Sequence, residues 1–220
     1  MGYFAAFLDA GGKRCLVTGG GKMAAEKAHG LLEAGADVTV VWDNVGLEVE
    51  ALNTTTQVQV ARRRPVEADL QGVFIAIDAS GDDALGPLMR EWSRRHGAIL
   101  NVLDRPAWCD FIAPALVRRG PLQVAISTAG RSPYMASHIR QRLERELGPE
   151  WGELGELVGR LRDRLRAEGV PLARQQEVYA SLDIDGAVDL LRQGRAEAAT
   201  HLLTPPPPDR GEVGRGAKRP

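Results

Sequence analysis

Residues 13–43 read KRCLVTGGGKMAAEKAHGLLEAGADVTVVWD. A short apolar run, Arg14–Thr18, leads into three glycines. A helical stretch follows with Ala24, Ala28, Leu31 and Leu32 on one face, and Gly35 stands where a helix is closed by a C-cap glycine. A second apolar run, Asp37–Trp42, ends at Asp43. Gly19, Gly21 and Ala24 fill the pattern G-x-G-x-x-[GA] between strand and helix. The first small residue permits the tight turn, the second lets backbone approach a pyrophosphate, and the third packs helix on strand. The helix N-terminus then offers N–H groups to phosphates. Asp43 follows Gly19 by 24 positions, where an acid holds the adenosine ribose hydroxyls and repels a 2′-phosphate. Alone, the glycines equally describe a plain strand–helix turn. With strand, helix, second strand and terminal acid in register, the unit predicts dinucleotide binding, with NAD favoured over NADP.

Further strand candidates are Gln57–Ala61, Val73–Asp78 and Ala98–Leu103. Between the last two, DDALGPLMREWSRRHG is acidic at its start and basic at its end, as a helix dipole favours. The first ~110 residues therefore predict an α/β domain of Rossmann type, with a parallel sheet under helices. Beyond them the character changes. FIAPALVRRGPLQVAISTAGRSP holds two short β-like runs around a Gly-Pro break. Helices are expected at Ser132–Leu147 and Trp151–Glu168, with shorter ones between Ala173 and Leu203. The tail TPPPPDRGEVGRGAKRP buries too little apolar surface to fold alone.

With 28 basic and 29 acidic residues, net charge gives no footprint for nucleic acid. Cys15 and Cys109 read as reduced packing residues rather than a disulfide framework. The start MGYFAAFLDAGG lacks the basic head and long apolar core of a signal peptide, and Ala6 leaves a myristoylation motif incomplete. No run reaches the roughly 20 apolar residues of a membrane helix. A cytoplasmic location is expected, with neither membrane nor nucleic acid as partner. His29, His96, His138 and His201 lie on separate helices without metal-ligand spacing, so no metal site is predicted. No G-x-S-x-G elbow or Cys/His pairing points to a hydrolase, and no second glycine precedes a Lys-Ser/Thr pair at Walker spacing.

In an open parallel sheet, ligands lie beyond the carboxyl ends of the strands. The groups there are Gly19–Met23, Asp43–Asn44, Asp78–Ser80 and Asn101–Asp104. Asp104 closes an apolar strand. A partly desolvated carboxylate at that point would titrate high and serve as general acid or base. Asp-Arg-Pro is equally an ordinary turn initiator. Arg105, Arg118, Arg119, Arg131, Arg140 and Arg142 form either a solvated face or a grip for a polycarboxylate substrate.

Three stretches together resemble a known family: CLVTGGGKMAAEKAHGLLEAGADVTVV, NVLDRPAWCDFIAPALVRRGPLQVAISTAGRSP and YMASHIRQRLERELG. They resemble the precorrin-2 dehydrogenase/sirohydrochlorin ferrochelatase family, which includes the N-terminal module of siroheme synthase. The resemblance runs over roughly residues 3–200. It implies a Rossmann domain over 1–112, a dimerisation segment over 113–147 and a small helical domain over 148–203, with 204–220 a disordered tail. It implies a homodimer and NAD-dependent oxidation of precorrin-2 to sirohydrochlorin, on the route to siroheme or cobalamin, with ferrous iron insertion a further activity of some members. Carried over, Gly19, Gly20, Gly21, Lys22 and Met23 hold the pyrophosphate, Asp43 and Asn44 meet the ribose, and Ala79 and Ser80 complete the NAD site. Asp104 matches the aspartate implicated in dehydrogenation and chelation. Asn101, Arg105, Ser127, Thr128, Gly130, Arg131 and Ser132 line the tetrapyrrole site. Thr128 stands where members often have serine. Trp108 replaces a basic or small residue, to stack on a macrocycle or to cover the loop. No second glycine-rich methyltransferase stretch occurs, so precorrin-2 is expected from another protein.

Two other readings compete. One is a ferrochelatase in which NAD organises the pocket. The other is a non-enzymatic NAD-sensing regulator, which has no need of the segment from Asn101 to Pro133.

Overall fold

The computed structural model describes residues 2–55 and 58–204. In its first unit five parallel strands form one sheet in the order β3-β2-β1-β4-β5. They are β1 (Arg14–Thr18), β2 (Asp37–Val41), β3 (Gln59–Ala61), β4 (Ile75–Asp78) and β5 (Ile99–Val102), interleaved with helices α1 (Lys22–Glu33), α2 (Leu47–Thr55) and α3 (Leu85–His96). In register, Val17 of β1 faces Val40 of β2 and Ile77 of β4. Both sheet faces are covered, so the central strands are apolar throughout, as buried parallel strands require.

The period-two alternation of a strand sends neighbours to opposite faces. Cys15, Val17, Val38, Val40, Ile75 and Ile77 pack with Ala24, Ala28 and Leu31 of α1 and Val49 of α2. Leu16, Val41, Ala76, Leu100 and Val102 pack on the other face with Leu70, Leu85 and Met89. Burial pushes the Cys15 thiol above its ordinary range, consistent with an inert packing residue. The direction in which successive strands are added reverses between β1 and β4, so the crevice at the carboxyl ends of these two parallel strands is the topological switch point.

The second unit opens with an antiparallel pair, β6 (Ala115–Arg119) and β7 (Leu122–Ile126), and continues through α4 (Pro133–Glu146), α5 (Glu150–Ala167), α6 (Leu172–Ala180), α7 (Ile184–Arg192) and α8 (Ala196–Leu202). The hairpin meets α5 closely: a β-carbon on Gly152 would stand 2.9 Å from the carbonyl of Arg119. Arg119 also donates from Nε to Leu147 O at 2.6 Å and from Nη2 to Glu144 O at 2.9 Å, closing the end of α4. Leu154, Ala187, Val188, Leu191 and Ala199 form the helical core. Among the described residues, Thr128–Ser132 pack with the first unit, while Pro114–Ser127 and the chain from Pro133 form the second.

The α/β sheet and the helical C-terminal part agree with the sequence. Boundaries differ. β2, β4 and β5 are shorter than expected, and Gln57 of the expected third strand lies outside the described residues, as does the tail from residue 205. The long α3 pattern starts at Leu85 because Asp82 and Asp83 occupy the turn before it. Helix α2 was not anticipated. Among its described side chains only Val49 is fully buried and Leu47 is exposed, so it carries no apolar stripe to read. No helix among the described residues is long and apolar enough to cross a membrane.

A candidate nucleotide crevice at the strand ends

Three glycines span the gap between β1 and α1, and each meets a different constraint. Gly19 has φ +118, and a β-carbon there would stand 2.7 Å from the Ala79 carbonyl. Gly20 is the most crowded: its β-carbon would lie 2.0 Å from Asn44 O, and its own carbonyl accepts the Gly46 N–H at 2.7 Å. Gly21 faces open space, with nothing within 4 Å of a β-carbon. It begins α1 without a side-chain cap, so the first-turn N–H groups, which have no intrahelical acceptor, point at that space. An uncapped N-terminus beside an open glycine fits a pyrophosphate. The pattern G-x-G-x-x-[GA] singles out Gly19 and Gly21. It is silent on Gly20, whose partner lies 24 residues away in sequence.

At the end of β2, Asp43 is exposed and accepts the Asn44 N–H at 3.1 Å. At the end of β4, Asp78 is buried at 2 % exposure. Its Oδ1 accepts from Thr18 Oγ1 at 2.8 Å, Ser80 N at 3.0 Å and Ser80 Oγ at 2.6 Å. One carboxylate oxygen therefore ties β1 to the turn Ala79–Ser80, which in turn abuts Gly19. Sequence reasoning named Ala79 and Ser80 and missed Asp78 as their anchor. The signal was an acid ending the otherwise apolar run IAID.

At the end of β5, Asn101 is buried and its Nδ2 donates to Phe111 O at 3.0 Å. Asp104 stands two residues past the strand at φ 59, a left-handed conformation that Asp tolerates better than most residues. It is exposed, which corrects the expectation of a partly desolvated carboxylate: the turn carries it out past the sheet edge. The other non-glycine residue with positive φ among those described is Ala129, at φ 52, within the Thr128–Ser132 turn. There Thr128 O accepts the Arg131 N–H at 3.0 Å and Thr128 Oγ1 accepts the Ser132 N–H at 2.9 Å. Both left-handed residues fall in segments expected to line the substrate site, where such conformations cluster.

The arginine grip is largely engaged within the chain. Arg105 pairs with Asp83 at 2.5 Å, Arg119 caps α4, and Arg140 and Arg142 pair with Glu144 and Glu146 one turn along α4. Arg131 is exposed in the turn, and Gly130 beside it has φ +78. Ser127 ends the hairpin segment of the second unit. His138 is exposed and stacks with Tyr134 at 6.4 Å between ring centroids. Among the described residues no group of three or more His, Cys, Asp or Glu converges as a metal site.

Comparison with known proteins agrees with this geometry. A family model described as NAD(P)-binding matches residues 6–115, and one described as sirohaem biosynthesis protein central matches residues 119–146. The siroheme synthase of Methylococcus capsulatus is 35% identical over 204 residues, covering 92% of this chain and 43% of that protein. Siroheme synthase 1 of Halorhodospira halophila is 33% identical over 97% of this chain and 46% of its own length. The chain thus spans less than half the length of these relatives. Among solved structures, SirC, precorrin-2 dehydrogenase, superposes with a TM-score of 0.73 at 25% identity, covering 91% of this chain and 98% of that one. The first unit is a nicotinamide-dinucleotide-binding domain, and the chain belongs to the NAD(P)-binding family of sirohaem biosynthesis that its glycine loop and Asn101–Pro133 segment resemble.

Proposed function

We propose that the chain catalyses the NAD-dependent oxidation of precorrin-2 to sirohydrochlorin. The observation that carries the proposal is Asp104, a carboxylate held on a left-handed backbone at the same sheet edge as the uncapped glycine loop. The likeness to SirC, precorrin-2 dehydrogenase, supports it. NAD, when bound, supplies the hydride acceptor. Gly19–Met23 hold its pyrophosphate, Asp43 and Asn44 its ribose, and Ala79 and Ser80, fixed by Asp78, complete that wall. Asp104 takes the proton lost from the ring. Asn101, Arg105, Ser127, Thr128, Gly130, Arg131 and Ser132 line the tetrapyrrole site, with Arg131 the group offered to substrate carboxylates. Purified chain mixed with precorrin-2 and NAD should generate NADH absorbance. No NADH, with NAD binding intact, would overturn the proposal.

The exposed Asp104 carboxylate is also the group to accept pyrrole protons if ferrous iron enters sirohydrochlorin. Adding ferrous iron to sirohydrochlorin with and without NAD separates that activity from the dehydrogenation.

We assign residues 1–112 to the NAD domain, 113–147 to dimerisation and 148–203 to a helical domain, in a cytoplasmic homodimer. A two-stranded ribbon such as β6–β7 is marginal alone, and Tyr134 on α4 is 81% exposed, which suits a face covered by a second copy. Light scattering should give twice the chain mass.

A further inference from the structure

Three consecutive arginines follow β3, and each finds an acid. Arg62 Nη2 pairs with both oxygens of Glu50 at 2.6 and 2.7 Å. Arg63 Nη1 pairs with Asp69 at 2.8 Å. Arg64 pairs with Asp82 but differs from the others in what lies beneath it: its guanidinium carbon stands 4.2 Å over the ring of Trp42. That indole is itself wedged against the glycine loop, since a β-carbon on Gly20 would come within 2.9 Å of its Cδ1. Trp42 directly follows β2 and is fixed by its N–H bond to Ala61 O at 3.1 Å. Asp82 belongs to the loop after β4, where its N–H donates to Ser80 Oγ at 3.1 Å. Residues from three different loops thus build one shelf on the sheet's carboxyl edge, bridging the ends of β3 and β4 across β2 and β1.

The shelf has a direction. One face of the guanidinium is covered by the indole, while the Arg64 side chain as a whole remains 48% exposed. The carboxylate of Asp82, held below its usual range by Arg64 and the Ala84 N–H, keeps the guanidinium in place. Planar guanidinium groups stack on aromatic and nucleobase faces. With phosphates at the N-terminus of α1 and a ribose on Asp43, the base attached to that ribose falls beside Trp42, the residue preceding Asp43.

We infer that Arg64, stacked on Trp42 and tethered by Asp82, is the platform on which the adenine of the dinucleotide stacks. This rests on the reading of Asp43 as the adenosine-ribose contact. The platform makes the base a binding determinant separate from the pyrophosphate, and it recognises a planar ring by its face rather than by hydrogen bonds to its edge.

Calorimetric titration of NAD and of ADP-ribose into the full chain tests it, with Arg64→Ala and Arg64→Lys beside the wild type. Base stacking on a side chain is commonly worth a loss of about tenfold in affinity on truncation. Arg64→Ala should weaken both ligands by about that factor. Arg64→Lys keeps the charge and the Asp82 pair but not the plane, so it should fail to restore them and also serves if the alanine variant does not fold. Wild-type affinity in Arg64→Ala, full rescue by lysine, or loss of NAD affinity with ADP-ribose unaffected would overturn the inference while leaving the dinucleotide site standing. Binding of neither ligand by the wild type would instead remove the dinucleotide reading, and the platform with it.

Discussion

The six-membered ring of Trp108 lies against the α-carbon of Gly86: a β-carbon on that glycine would stand 2.3 Å from Cζ3 and 2.4 Å from Cε3. Trp108 joins the apolar cluster of Leu85, Met89 and Leu100. Of the two roles open to it from sequence, stacking on a macrocycle or covering its loop, the contact with α3 supports the second. Gly86→Ala would gain up to about 1 kcal/mol of helix propensity against about 1–3 kcal/mol of overpacking. The net expectation is destabilisation, read by urea unfolding. In a Trp108→Ala background the same substitution should become neutral or stabilising. Equal effects in both backgrounds would refute the contact.

Gly20 and Gly21 should separate stability from binding. At Gly20 the obstructing atom is a backbone carbonyl that cannot swing aside, so Gly20→Ala should lower Tm as well as NAD affinity. At Gly21 a methyl enters open space. Gly21→Ala should therefore leave Tm near that of the wild type and weaken NAD by intruding where the pyrophosphate sits. Unchanged NAD affinity in Gly21→Ala would move the phosphate site elsewhere.

Asp43 is exposed at the end of β2, and a second negative charge beside it is disfavoured. Asp43→Asn removes the repulsion and the double acceptor together. The ratio of NAD to NADP affinity should fall by about tenfold or more. A ratio that stays constant would show that the ribose lies away from this carboxylate.

Asp104 calls for a substitution that respects its backbone. Alanine at φ 59 costs about 1 kcal/mol of strain that asparagine or glycine avoids. Asp104→Asn should lower dehydrogenase turnover by about 10²-fold, the scale of a lost acid–base group, with NAD affinity unaltered. Turnover equal to the wild type would exclude the carboxylate from the chemistry.

Glu150, 8% exposed at the start of α5, pairs with Arg192 at 2.8 Å at the end of α7. Burial alone would raise its carboxyl. The backbone N–H at Glu150 itself, Arg192 and the backbone at Gly148 outweigh burial and hold it below the ordinary range. A depressed folded-state value means that the pair contributes fully above about pH 5 and is lost as pH falls through the lower range. Glu150→Gln should therefore lower Tm at pH 7, and the gap to the wild type should close on acidification toward about pH 3. A gap independent of pH would assign the effect to packing.

Much of the first unit is written in local periodicity. Cys15, Leu16 and Val17 alternate between two covered faces, and Ala24, Ala28 and Leu31 recur at helical spacing, so strands, helix and parallel sheet follow from neighbours along the chain. The glycine loop and its terminal acid are likewise a local signal. Helix α2 escaped because one buried valine makes no stripe. The crowding of Gly20 by Asn44, the anchoring of Ser80 and Thr18 on Asp78, the shelf of Arg64 on Trp42 and the seat of Trp108 on Gly86 escaped for another reason. Each joins residues from strands, loops or helices that lie far apart along the chain. Which loops become neighbours depends on strand order and on how closely the layers approach, and no repeat along the chain encodes either. Local periodicity determined the elements and the phosphate loop. The tertiary structure alone decided which side chains are structural ties and which keep a face or donor exposed for a ligand, because how much of a side chain its own chain takes up depends on which loops become neighbours.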